Sequence, residues 1–335
     1  MGHTPRPPTA AESLGGHRRP RPQALLTLLL TLLTVTALTA AAHAGRIPAP
    51  PPAKLPALTP ATLRSAYAAN RAGAAEAARR AAAHGDPHRA AADRALAGPS
   101  RTLLAYDGRG GGRVTEVLGD LPHADRVAVL VPGSDTSLDT YTRFHRAAAA
   151  LHAELRHRAP PGTRTAVVAW LGYATPATFG TTVTTTARAD QAAPGLRALV
   201  AGLRALTPAR ARLSLLCHSY GSVVCGRTAP GLDVDDIALV GSPGTGADSA
   251  AALRTRARVW AARGGGDWVA YVPHVRVGLG FTTVGFGTDP VSRAFGARVF
   301  DAGAAGHSGY FTPGSVSLTN LARITLGATT EVTHA

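Results

Sequence analysis

The chain has 335 residues, 45% hydrophobic and 16% charged, with 35 Lys/Arg against 20 Asp/Glu for a net charge of +15. That length and apolar content suffice to bury one sizeable core, so one folded domain with an N-terminal extension is expected. The basicity is concentrated early: residues 1–101 hold 13 Lys/Arg against four Asp/Glu, nearly all arginine. No basic cluster is interleaved with aromatics, which argues against a nucleic-acid partner.

In chain order, Arg18, Arg19 and Arg21 precede an uncharged Leu/Thr/Ala run from Ala24 to Ala42 that ends in Ala42-His43-Ala44. A charged start, an apolar centre and an A-x-A site make an export signal. The run is also just long enough to cross a bilayer, so a retained membrane anchor is the competing reading. Either way the chain is expected to be secreted or anchored on the outer side of the cytoplasmic membrane. Residues 1–44 read as signal peptide or anchor, 45–60 as a Pro/Ala-rich linker with Pro48, Pro50, Pro51 and Pro52, and 61–330 as the folded domain with a helical extension.

Thr59-Pro60 opens a helix through Leu63 and Tyr67 to about His84, and a second helix spans His88 to Leu96. Arg101 to Tyr106 and Arg113 to Leu118 flank a glycine loop and read as a β-hairpin. Short apolar runs follow at Val127–Val131, Ala166–Trp170, Leu213–Leu216, Ile237–Val240, Val259–Ala261 and Ala297–Phe300. Helical stretches such as Tyr141–Arg156 and Arg188–Leu206 lie between them. Runs of this kind mark strands buried on both faces, so the fold class is α/β: a mostly parallel central sheet with helices on both faces and an antiparallel N-terminal hairpin.

The strand Leu213–Leu216 breaks at Cys217-His218-Ser219-Tyr220-Gly221 and resumes as a helix. This is the nucleophile-elbow pattern G-x-S-x-G with Cys217 at the first small position. A serine hydroxyl needs a base to take its proton and donors to receive charge on the attacked oxygen, and a strand-to-helix turn serves both. In parallel sheets the site lies beyond the carboxyl ends of the strands. There, Pro132-Gly133-Ser134 follows Val131, and the Ser134 and Tyr220 N–H groups are the expected oxyanion donors. Asp267, in the glycine-rich loop after Val259–Ala262, is the expected acid, with Asp289 in reserve and Asp248 and Asp301 less favoured, Asp248 as the cap of a helix over Ser249–Arg256. His307, in the loop after the last strand, is the expected base, with His274 as the alternative. His218 adjoins the serine and is expected to point elsewhere. His145, His152 and His157 are assigned to a surface helix, and no histidine cluster has metal-ligand spacing.

Cys217 and Cys225 also lack metal-ligand spacing. They read either as a disulfide clamping the turn around Ser219 or as two small buried residues.

Leu130–Ser134, Val168–Tyr173, Cys217–Ser222, Gly241–Gly244, Phe295–Ala297 and His307–Phe311, in this order, resemble an actinobacterial α/β-hydrolase family catalogued as a domain of unknown function. The resemblance covers about Leu58 to Gly327. It implies an α/β-hydrolase fold, a Ser-His-Asp triad at Ser219, His307 and Asp267, and a secreted or membrane-anchored hydrolase of open substrate. Cys217 departs from the usual glycine.

The expected activity is that of an exported serine esterase or lipase acting on a small-molecule or lipid ester, without metal or organic cofactor. A peptidase or acyltransferase on the same residues, and a non-catalytic envelope protein on a hydrolase scaffold, are the alternatives. The sequence does not indicate the oligomeric state.

Overall fold

The computed structural model describes residues 1–2, 48–178, 184–272, 276–278 and 283–335. Two units divide the chain, Met1–Arg46 and Ile47–Ala335, and almost all described residues belong to the second. The apolar run Ala24–Ala42 and His274 lie outside the described residues. Among those described, no helix is long and apolar enough to cross a membrane.

Helices α1 (Leu63–Ala83) and α2 (Pro87–Leu96) precede the sheet. Asp86 caps α2 by accepting from the Arg89 N–H at 2.9 Å, and Pro87 occupies a first-turn position where no N–H is needed. The hairpin β1 (Leu103–Asp107) and β2 (Arg113–Gly119) pairs antiparallel. Then follow β3 (Arg126–Val131), α3 (Tyr141–Arg158), β4 (Thr165–Leu171), α4 (Ala187–Leu206), β5 (Arg212–His218), α5 (Gly221–Thr228), β6 (Asp236–Val240) and β7 (Arg258–Ala262). A separate antiparallel pair, β8 (Arg276–Gly278) and β9 (Thr283–Gly285), precedes β10 (Arg298–Val299) and the closing helix α6 (Val316–Leu326).

The eight-stranded sheet runs in the order β1-β2-β4-β3-β5-β6-β7-β10, with β4, β3, β5, β6, β7 and β10 parallel and β2 antiparallel to β4. Side chains alternate between two cores, as the two-residue period of a strand requires. Val127, Val129, Leu213, Leu215, Ile237 and Leu239 face α4 and α5 residues such as Leu196 and Val223. Ala128, Leu130, Leu216, Ala238 and Val240 face Leu151 and Leu155 of α3 and Leu318 and Leu321 of α6. The sheet is therefore covered on both sides, and the α/β architecture expected from the continuous apolar runs is present.

Two local readings are corrected, and one helix is added. The helix expected over Ser249–Arg256 is only a short 3-10 turn, Ala251–Leu253, because Arg254 adopts the left-handed conformation (φ 48) and ends it. The strand expected over Ala297–Phe300 shortens to the two residues of β10. Helix α6, unassigned from the sequence, carries ordinary stop signals: Ser315 caps its start and Gly327, at φ 82, ends it.

Candidate active site

Five loops leave the carboxyl ends of β3, β5, β6, β7 and β10 and meet above the sheet. Ser219 sits between β5 and α5 with φ 53, one of three non-glycine residues at positive φ among those described. Such a backbone is costly for an L-residue, and it persists here because the surroundings fix it. The Ser219 N–H donates to the Val240 carbonyl at 3.0 Å, tying the turn to β6. A Cβ at Gly221 would lie 2.5 Å from the Val131 carbonyl oxygen and 2.7 Å from that of Pro132, so only glycine lets α5 start against the end of β3. Gly133 is crowded in the same way, since a Cβ there would lie 2.6 Å from the Ser219 Cβ.

Cys217, in the position usually held by glycine, is fully buried and forms a disulfide with Cys225. The bridge joins the end of strand β5 to the interior of α5, with Ser219 inside the loop it closes.

The Ser219 hydroxyl lies 2.9 Å from Nε2 of His307, and Nδ1 of His307 lies 2.9 Å from Oδ1 of Asp267. Asp267 is buried, and all its bonds are accepted: from His307 and the Val269 N–H at Oδ1, and from the Tyr310 hydroxyl at Oδ2. Burial opposes its charge, but the bonds from His307, Tyr310 and Val269 outweigh that and hold the carboxyl below its ordinary value. An ionised Asp267 fixes the proton of His307 on Nδ1 and leaves Nε2 to accept from Ser219. The structure thus brings together the serine, acid and base singled out from the sequence.

The acid and base loops are also joined directly. Gly266 and Gly306 form a parallel bridge, and the Gly265 N–H donates to the Gly303 carbonyl at 2.9 Å. Gly241, at φ 56, passes behind them where a Cβ would lie 2.8 Å from Asp267 Oδ2.

The other acids are occupied elsewhere. Asp289 pairs with Arg263 at 2.6 Å, and Asp301 accepts from the Gly303 N–H. Ser134 stands on the cavity wall beside Ser219, and Tyr220 follows Ser219. Among the described residues, neither the Ser134 nor the Tyr220 N–H has an acceptor in the chain. The Tyr220 side chain turns away, donating to the Thr185 carbonyl and accepting from the Ala189 N–H.

Sequence reasoning missed three neighbours of His307. His218 does not point away: Nε2 donates to the His307 carbonyl at 2.6 Å, and the rings lie 4.8 Å apart. Burial, then the neighbouring His307, pushes its pKa down to about 4, so it is neutral near pH 7. Tyr310 bridges Asp267 and the Gly264 N–H, and the half-exposed Trp268 packs its indole 4.6 Å from the His307 ring. Only Tyr310 carried a signal, as an aromatic three residues past His307. His145, partly exposed on α3, sets its ring against the buried Glu116 at 2.9 Å.

The array opens into a cavity of about 280 Å³ whose walls combine apolar Phe144, Ala147 and Phe311 with polar Ser134, Thr136 and Arg143. Among the described residues no group of three His, Cys, Asp or Glu side chains is placed to hold a metal.

A family model described as alpha/beta hydrolase matches residues 107–277. The uncharacterized proteins MT2140 and Rv2079 of two Mycobacterium tuberculosis strains are each 30% identical over an aligned stretch of 266 positions that covers 67% of this chain and 39% of theirs. The chain thus spans about two fifths of the length of these curated relatives. Among solved structures, XC6422 of Xanthomonas campestris, described as an a/b serine hydrolase without lid, is 16% identical with a TM-score of 0.42, covering 69% of this chain and 95% of its own. Esterase LipW of Mycobacterium marinum is 17% identical with a TM-score of 0.38, covering 76% of this chain and 90% of its own. On the family match, which takes in the sheet from the end of β1 through β7 together with Ser219 and Asp267, the chain belongs to the alpha/beta hydrolase family.

Proposed function

We propose that this hydrolase cleaves carboxylic esters through an acyl-enzyme on Ser219. The observation that carries the reading is the continuous hydrogen-bonded line from Ser219 through His307 to the ionised Asp267. In the proposed reaction Ser219 Oγ attacks the ester carbonyl as its proton passes to Nε2 of His307. Asp267 holds the ring and stabilises its charged form. The negative charge on the carbonyl oxygen falls to the free Ser134 and Tyr220 N–H groups, aided by the start of α5. His307 then gives its proton to the departing alcohol. Water, deprotonated by the same histidine, attacks the acyl-serine, and Ser219 regains its proton as the acid leaves.

Export to the outer side of the membrane belongs to the same reading. Its supports are the Arg-flanked apolar run with its A-x-A end and the buried Cys217–Cys225 disulfide, a bond that persists in oxidising compartments. The test of the chemistry is a fluorophosphonate probe: labelling of the native protein and not of Ser219→Ala is expected. Folded native protein that takes no label overturns the proposal in favour of a non-catalytic role.

A further inference from the structure

We propose that Arg143 makes this site selective for esters that carry a second, anionic group. The inference rests on the hydrolase reading above and specifies its substrate class.

Arg143 stands in the first turn of α3, where its N–H donates to the Thr140 carbonyl, and its residue lines the same cavity as Ser219 and His307. It is close enough for its charge to depress the neighbouring His218. No described carboxylate pairs with it, although acids stand nearby in sequence. Asp139 is taken by Arg89 at 3.3 Å. Asp135, the acid on the cavity wall, accepts from the Thr178 N–H through both oxygens, at 3.1 and 3.2 Å. His218 is neutral near pH 7, so among the described residues the cavity wall carries one cation, the exposed Arg143, with no carboxylate on it, and one anion, Asp135, which is turned onto the Thr178 N–H.

A guanidinium at a cavity wall with no carboxylate bound to it has five donors to offer, and a carboxylate, sulfonate or phosphate matches it in charge and shape. The remaining wall, with Phe144, Ala147 and Phe311, accommodates an apolar segment. The substrate that satisfies both is an ester with an apolar stretch and an acidic group, on either its acyl or its alcohol side.

Two matched pairs separate the sides: 4-nitrophenyl hydrogen adipate against 4-nitrophenyl hexanoate, and 4-carboxyphenyl against 4-carbamoylphenyl hexanoate. In one pair or the other the native protein is expected to prefer the anionic member in kcat/KM. That ratio should fall at least about tenfold in Arg143→Gln and further in Arg143→Glu, and shrink with added salt. Arg146→Gln, an exposed arginine of the same helix, serves as control, and its ratio should match the native one. Because each ratio is read within one variant, a general loss of rate does not disturb it. Circular dichroism confirms folding. Ratios that stay put in both Arg143 variants overturn the assignment of Arg143 while leaving the hydrolase reading standing. Native protein that hydrolyses none of the four esters overturns both.

Discussion

His218 Nε2 donates to the backbone carbonyl of His307 across 89 positions of sequence, at 2.6 Å. The residue just before the proposed nucleophile therefore holds the main chain of the proposed base. The two rings pack together beside Ser219, and a third ring, Tyr310, lies 5.8 Å from His218.

This contact should be visible in the acid limb of stability. His218 is pushed from the ordinary 6.5 to about 4 in the folded chain. Between those values the unfolded chain binds a proton that the folded chain refuses, so stability present above about pH 6.5 is lost as pH falls toward 4. Thermal melts of native protein and His218→Gln from pH 7.5 to 4.5 check this. The variant is expected to start with a lower Tm and to lose less of it on acidification. Parallel curves would show that His218 is not the group responsible.

Tyr310→Phe removes the donor to Asp267 Oδ2 and the acceptor of the Gly264 N–H, both buried. A loss of about 1–3 kcal/mol is expected, read by urea unfolding. The ester rate should also fall, because Asp267 then holds its charge less firmly.

Asp267→Asn should lower kcat about 10³–10⁴-fold by allowing the wrong tautomer of His307. Asp289→Asn, which breaks the pairing with Arg263, should lower stability with little change in kcat. The opposite ranking would move the acid role to Asp289.

The disulfide closes a loop with a sequence separation of eight around Ser219. For a loop this short the chain-entropy effect is roughly 2–3 kcal/mol. A Cys217→Ser/Cys225→Ser double variant should lose about that much, and reductant should shift the native unfolding curve toward it while leaving the variant unmoved.

Gly133→Ala places a methyl 2.6 Å from the Ser219 Cβ. Displacing the serine hydroxyl should lower kcat by at least about tenfold, since a small misplacement of reacting groups is costly. Fluorophosphonate labelling rates of the variant provide the measurement.

Much of the sheet and the order of the site are legible in the amino-acid pattern. Val127–Val131, Leu213–Leu216 and Ile237–Val240 stand out because both faces of each strand are buried, leaving no polar alternation to confuse the reading. The order Ser219, Asp267, His307 is legible because loops after successive parallel strands arrive on one side. Other features depend on distant partners. His218 and Tyr310 gain their places only through contacts with His307 and Asp267, which local pattern cannot reveal. The helix expected after Asp248 has suitable residues, yet Arg254 turns left-handed and ends it after one 3-10 turn. Helix α6 is a different kind of miss, since Ser315 and Gly327 mark both of its ends.

The bridge between Gly266 and Gly306 gives the acid and base a common mount, whereas Ser219 rides on a separate turn hung from β5 and β6. Of the two gaps in the array, the one between His307 and Ser219 is the joint. Motion between the mounts, whether from an acyl group on the serine or from thermal loosening, should open that joint first and leave the histidine and aspartate travelling as a pair.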